Sequence, residues 1–394
     1  MTDPFALETR RLLDEDFVRI QECLDRIPRL VILLSSAEDE TRKNAAWALA
    51  VICAGTAKQT RCVVDAGALP LMIKLIGNDD VLEIRGRAMW ALGNIAFEFP
   101  VEVIRQGGLV AMIGFMVRFS DIFSCYAIEL VTWGICNLCQ SSKCPLDMLM
   151  VAVPIKYNLS STNADILINC CNTLSSLIRR REDNSIDEIM TRVDVANMAR
   201  LLWNDDPRVQ RAAIQTLGQI SVGSDAQTQL LLDCGVVKAS IPLLSADSTR
   251  TVKDACWMLS NITAGPLNQI DEVVQSKAIT SLVQVIATRP MFCAIEATWA
   301  ISNATLGSPC HIQRLAECGS VSALSTVAYG AKKPREVLMA LKGLVQFCRY
   351  MPSALSTPCV TLSVGPLVTS DVEDIRTYAD IVLNTAMEQK KQME

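Results

Sequence analysis

Apolar residues recur along this chain at three- and four-residue intervals, the spacing that lines one face of an α-helix. Near the start they fall at Phe17, Ile20, Leu24, Ile27, Leu30 and Leu33. The periodicity continues through most of the sequence and is cut by polar breaks at Gly77-Asn-Asp-Asp80, Asn204-Asp-Asp-Pro207 and Ala246-Asp-Ser-Thr249. A second kind of break carries glycine, at Asp65-Ala-Gly67, Gln106-Gly107-Gly108, Asp233-Cys-Gly235 and Glu317-Cys-Gly319. Glycine there suits a helix end that needs a left-handed residue. The alternation predicts an all-α chain. Each unit reads as a connecting helix, a glycine turn, a second helix and a longer third helix.

The third helices carry a recurring phrase: Trp90-Ala-Leu-Gly-Asn94, Trp133-Gly-Ile-Cys-Asn137, Trp257-Met-Leu-Ser-Asn261 and Trp299-Ala-Ile-Ser-Asn303. A four-residue step stacks the indole and the carboxamide on one helix face. Trp47 opens a variant in which Val51 takes the asparagine place. Trp47, Trp90 and Trp133 are 43 residues apart, and Trp257 and Trp299 are 42 apart. The 124-residue gap between Trp133 and Trp257 is close to three units, and it holds Asn172 with Ser176 and Gln215 with Gln219 in register. A helical period of about 42 residues is the signature of armadillo or HEAT arrays. The pattern predicts a helical-repeat solenoid of about nine repeats, three helices each.

Residues 1–42 read as an N-terminal cap or shortened first repeat, 43–350 as the armadillo repeat array, and 351–394 as a divergent C-terminal repeat or cap with a tail. Within the array, 140–164 is a looser unit. The Pro-, Ser- and Thr-rich stretch 351–370 interrupts the pattern before a last amphipathic helix near 371–388, and the polar end 388–394 is expected to fray.

Composition narrows the chemistry. Half the residues are hydrophobic but only 5% are aromatic, so the interior is built from aliphatic, Ala, Cys and Met side chains. Most of the 16 cysteines fall in apolar helical runs, where a free thiol acts as a small hydrophobe. With no export signal read at the start, disulfides are not expected. Cys136 and Cys139 form a Cys-x-x-Cys pair, but a zinc site has little else to draw on, since His311 is the single histidine. Core packing is the favoured reading, because that spacing is also plain helix-face spacing. No metal or cofactor is expected. No run approaches the 18 apolar residues of a membrane span, so no membrane partner is expected either. A net charge of −5 argues against nucleic acid and leaves room for a basic partner. One histidine, no phosphate-cradling glycine loop and no paired acids outside the repeat frame leave no catalytic constellation, so no enzyme is expected.

Taken together, Ala45-Ala-Trp47-Ala-Leu49, Gly55-Thr-Ala-Lys-Gln-Thr60, Trp90 to Ala96, Asp254 to Gly265 and Ala297 to Thr305 resemble importin α, the armadillo adaptor that binds nuclear localisation signals. The resemblance runs in register over roughly 43–350 and implies an all-α, armadillo-repeat right-handed superhelical solenoid. It implies a peptide groove in which indoles flank the stems of Lys and Arg, amides pair with the peptide backbone, and carboxylates select the cationic ends. It places Trp47, Gly55, Thr60, Trp90, Asn94, Glu98, Trp133 and Asn137 in a major-like peptide site. It places Asp225, Asp254, Trp257, Asn261, Glu296, Trp299 and Asn303, with Lys253, in a minor-like one.

Departures from the family pattern gather in the first site: Val51, Arg87, Asn172, Ser176, and Arg179 where an acid is usual. In the second only Gln215 departs, so the C-terminal half is expected to be the stronger ligand surface. The implied partners are basic, Lys/Arg-rich peptides of nuclear proteins, and the implied location is cytoplasm and nucleus. Residues 1–42 hold Arg10, Arg11, Arg19, Arg26 and Arg29 among acids, with no basic run. The family's importin-β-binding segment is therefore not found there, importin β is a doubtful partner, and the groove is expected to lack self-inhibition. The alternative reading is a non-transport armadillo scaffold or regulatory paralogue that works without importin β.

Overall fold

Gly67, Gly107, Gly235 and Gly319 adopt φ angles of 79°, 83°, 73° and 85°, the left-handed conformation the sequence called for. Any Cβ there would strain the backbone. Each of these glycines opens a second helix of its unit: Ala68–Asn78, Gly108–Phe119, Val236–Ser240 and Ser320–Gly330. The computed structural model describes residues 26–119, 125–141, 147–180, 187 and 189–393. Most of the expected N-terminal cap, with Arg10, Arg11 and Arg19, therefore lies outside the described residues, as does 142–146 of the looser unit.

Among the described residues the chain is helical with no strand. The third helices are α1 (Asp39–Cys53), α2 (Leu82–Glu98), α3 (Cys125–Gln140), α4 (Ala164–Arg180), α5 (Pro207–Ile220), α6 (Thr249–Thr263), α7 (Met291–Ala304) and α8 (Pro334–Tyr350). Local chemistry sets their starts. The Asp206 carboxylate accepts from the Arg208 N–H at 2.8 Å ahead of α5, and the Ser248 hydroxyl accepts from the Thr251 N–H at 3.3 Å ahead of α6. Pro207 and Pro334 take first-turn positions, where their missing N–H is no loss.

The connecting helices start on a recurrent device. The side chains of Thr56 and Gln59, Ser224 and Gln227, and Ser308 and His311 close reciprocal capping boxes. A glycine stands one residue before each box, and in the box of Gly307 the lone histidine takes the glutamine's part. The His311 Nδ1 accepts from the Ser308 N–H at 3.1 Å, so its Nε2 carries the proton that goes to Asp271 at 3.0 Å. At the fourth such turn Pro266 has no N–H to offer, and the Gln269 Oε1 is left buried without a partner.

Packing divides the chain into two compact units, Met1–Ile189 and Met190–Glu394. In the first, α1 to α4 stack in order, and in the second, α5 to α8 do so. Their contact faces are apolar and include the thiols of Cys53, Cys136, Cys170, Cys171, Cys256 and Cys293, all buried. Burial pushes the Cys136 thiol up to about 11 and the Cys171 thiol up to about 12, so both stay protonated and unreactive near neutrality. Cys139 is likewise buried.

The C-terminal segment is more ordered than its composition suggests. Pro352–Leu355, Pro358–Val364 and Gly365–Thr369 are short helical turns rather than an interruption, each with proline in its first turn. They pack against a helix that runs from Glu373 to Met393, anchored by buried Ile375, Ala379, Val382 and Ala386.

Candidate ligand face on the third helices

The repeated phrase first serves packing. In the first unit the Asn94 amide donates to the Ala50 carbonyl at 3.1 Å, and Asn137 donates to Gly93 at 3.0 Å. In the second, Asn303 donates to the Ser260 carbonyl at 3.0 Å. Each acceptor lies three residues past the tryptophan position of the preceding step, so the carboxamide pins one third helix to the next. Asn261 meets a hydroxyl instead: it donates to the Ser221 Oγ at 3.1 Å, and that hydroxyl passes a 2.8 Å hydrogen bond to the Gly218 carbonyl.

Two of the indoles press closely on the preceding third helix. A Cβ at Gly93 would stand 2.4 Å from the Trp133 ring, and one at Gly218 would stand 2.6 Å from the Trp257 ring. Glycine is required at both positions because the ring rests on the main chain, a role the sequence reading did not assign.

The residues of the expected major-like site take varied positions. Trp90 is only 5% exposed, so its ring packs in the core. Thr60 is fully buried, and its hydroxyl donates to the Cys53 and Thr56 carbonyls, both at 3.2 Å. Gly55 serves the capping box: a Cβ there would meet the Gln59 Oε1 at 2.3 Å. Asn94 and Asn137 are buried, with the amide nitrogen already engaged. Trp47 is exposed and Trp133 half-buried. Glu98 is exposed at the end of α2. Nearby, Arg87 is held by Glu83 at 3.3 Å, and exposed Arg179 donates to the Ser176 hydroxyl at 3.2 Å.

The minor-like residues keep a different character. Trp257, Asn261, Trp299 and Asn303 are all half-buried, so ring and amide edges stay open. Among the described residues no donor of the chain reaches the Oδ1 of Asn261 or Asn303. Asp225 stands exposed at the first position of the helix Asp225–Asp233, where a negative charge suits the helix dipole.

Asp254 and Glu296 form the electrostatic centre. Their side chains are 22% and 21% exposed, and burial raises both carboxyls above their ordinary range. The charge of Asp254 raises Glu296 further, while nearby cations pull the other way. Those cations are loosely held. The Arg211 Nε lies 3.7 Å from the Asp254 Oδ2, and the Lys253 Nζ lies 3.9 Å from the Glu296 Oε1. Both facing atoms of the Arg211–Asp254 pair are sealed from solvent and neither makes a hydrogen bond. A third cation, Arg335 at the start of α8, lies 5.1 Å over the Trp299 ring. Arg211 had a sequence signal, since it sits 42 residues before Lys253. Arg335 had none, because it comes from the helix where the tryptophan is lost.

Stacked three-helix steps of this kind define an armadillo-type repeat protein. An Armadillo/beta-catenin-like repeat profile matches residues 224–264, and a HEAT-like repeat profile matches 39–95. A crystal structure of an engineered protein superposes with a TM-score of 0.78 at 22% identity, covering 93% of this chain and 90% of that one, and so supports the fold. Importin subunit alpha-1a of Oryza sativa subsp. japonica is 31% identical over 259 residues, 64% of this chain and 48% of the rice protein. Importin subunit alpha-4 of Arabidopsis thaliana is 33% identical over 257 residues, 63% of this chain and 46% of that protein. Importin subunit alpha-3 of the same plant is 33% identical over 240 residues, 59% and 44% respectively. Over about three fifths of its length the chain is similar to these importin α subunits. It spans about half the length of these curated relatives.

Proposed function

We propose that this chain is an adaptor that binds extended Lys/Arg-rich peptides, of the kind that serve as nuclear localisation signals, on the third helices of its second unit. Asp254, Glu296, Trp257, Trp299, Asn261 and Asn303 are the contact residues. The observation that carries the reading is the pair of half-buried carboxylates held above their ordinary range beside two half-open indoles. Burying two acids with only distant cations is unfavourable for the folded chain by itself, and a ligand cation relieves it. The open Oδ1 atoms accept peptide N–H groups. The indole faces hold aliphatic stems and attract the ammonium or guanidinium, each contact contributing ~0.5–2 kcal/mol.

The first unit offers less: Trp47, Trp133 and Glu98, with Trp90 buried and Arg179 exposed. Its exposed arginine favours the second reading, a scaffold that also holds acidic partners. In the family's setting the activity is nuclear protein import, with the chain present in cytoplasm and nucleus. A role without importin β follows the alternative reading.

Titration calorimetry with a Lys/Arg-rich signal peptide and an acidic control of equal length that carries no Leu, Phe, Trp or other bulky apolar residue tests the proposal. Binding of the basic peptide alone is expected. Binding of the acidic peptide alone would move the assignment to the scaffold.

A further inference from the structure

The sixth tryptophan does not belong to the ladder. Trp203 follows the helix Arg192–Leu201 and is 58% exposed. Its indole forms one wall of a cavity of about 350 Å³ between this second helix and the second helix of the next step, Val236–Ser240. Ala196, Ala199 and Ala239 give the cavity an apolar floor of small side chains, and Cys234 and Gly235 close one end. The helix on that side is unusually short. It has five residues before Pro242 turns the chain into the 3-10 segment Pro242–Ser245, whereas Ala68–Asn78, Ala278–Thr288 and Ser320–Gly330 have 11 each.

Arg200 and Lys238 complete the lining, and no carboxylate takes part in it. Both side chains are exposed, and neither reaches an acid among the described residues. An exposed indole beside a hollow, with two unneutralised cations at the edge, is the composition of a protein-interaction anchor. The volume is at the small end for ligand sites and suits one large apolar side chain.

We propose that this cavity is a second peptide-binding site, and that its ligand is an acidic linear segment of a partner protein that inserts one Leu, Phe or Trp side chain. Arg200 and Lys238 take the flanking carboxylates, and Trp203 packs on the inserted residue. The charge preference is opposite to that of the ladder face, and no ladder residue lines the cavity. The proposal therefore stands independently of the basic-peptide reading, and the two ligand classes can be bound at once.

The probe is a phage-displayed library of random 12-residue peptides, panned against the full chain and then tested as synthetic peptides by fluorescence anisotropy. Enrichment of sequences with one bulky apolar residue among Asp and Glu is expected. Affinity should fall about tenfold or more in Trp203→Ala, and also in the Arg200→Glu, Lys238→Glu double variant, whose exposed positions leave folding intact. Trp257→Ala should leave it unchanged. Failure to enrich acidic sequences, or acidic peptides that bind Trp203→Ala as well as the parent, would overturn the proposal.

Discussion

At the scale of the residue, Asp254 and Glu296 carry a built-in conflict between stability and binding. Folding raises both carboxyls above their reference values of 3.8 and 4.5. A carboxyl that holds its proton more tightly when folded stabilises the protein at pH below its unfolded value. That contribution is lost as pH rises through the folded value. Once ionised, both groups work against the fold, because burial disfavours their charge. Glu296→Gln should therefore leave the melting temperature unchanged or raise it by about 1–3 °C at pH 7, while weakening basic-peptide binding about tenfold. Differential scanning fluorimetry and anisotropy read the two effects on one sample. A lower melting temperature with unchanged affinity would make Glu296 a structural residue. By the same linkage, peptide affinity should increase as pH rises through the carboxylate range, since only the ionised acids attract the ligand.

The thiols make a simpler prediction at this scale. Cys170 and Cys171 are fully enclosed, and burial raises both, whereas Cys310 is exposed. Iodoacetamide at pH 8, followed by peptide mapping, should modify Cys310 and spare the vicinal pair until the chain unfolds.

At the scale of the element, α3 and α6 each press an indole against a glycine of the preceding third helix, and α2, α3 and α7 each donate an amide to a carbonyl of the preceding one. Gly93→Ala and Gly218→Ala insert a methyl into the indole of the following step, at 2.4 Å and 2.6 Å. Each should lower stability by about 1–3 kcal/mol. Gly77→Ala is the control, with nothing within 4 Å of its Cβ, in the helix Ala68–Asn78. It should raise stability by ~0.5–1 kcal/mol, because alanine is the better helix former. Urea titrations of the three variants read these differences.

The helix order, the glycine turns and the phase of the ladder were legible in the sequence because each follows from periodicity or from a backbone conformation only glycine tolerates. What was not legible is which ladder side chains face out. Trp90 and Trp257 occupy the same place in their phrases, yet one is buried and the other half-open. Period places a residue on a helix face, but neighbouring side chains decide how much of that face stays uncovered. The ordered C-terminal turns were hidden for a related reason. Pro352, Pro358 and Pro366 look like breakers in sequence, but in the structure they sit where helical turns begin, and no N–H is needed there.

At the scale of the whole molecule, the contrast between the two units bears on function. The second unit places its acids beside half-open indoles, while the first has lost that combination: Arg87 is tied to Glu83, Thr60 and Trp90 are buried, and Glu98 stands alone on the surface. The sequence pointed in this direction through its departures, Arg87 and Arg179 among them. It did not show that Arg211, Lys253 and Arg335 approach the ladder of the second unit. These cations lie where ligand cations would bind, so Arg335→Ala should uncover the Trp299 ring and tighten basic-peptide binding about threefold, ~0.5–1 kcal/mol. Competition anisotropy against the parent chain reads the sign.

The central claim is that basic peptides bind the second unit through its open indoles. It is tested most directly by measuring one Lys/Arg-rich peptide against Trp257→Ala and Trp90→Ala, with folding of each checked by circular dichroism. The account predicts a loss of about tenfold or more from Trp257→Ala. It predicts no more than about a twofold change from Trp90→Ala once unfolded protein is discounted. Equal affinities in Trp257→Ala and the parent chain, or a larger loss from Trp90→Ala, would contradict it.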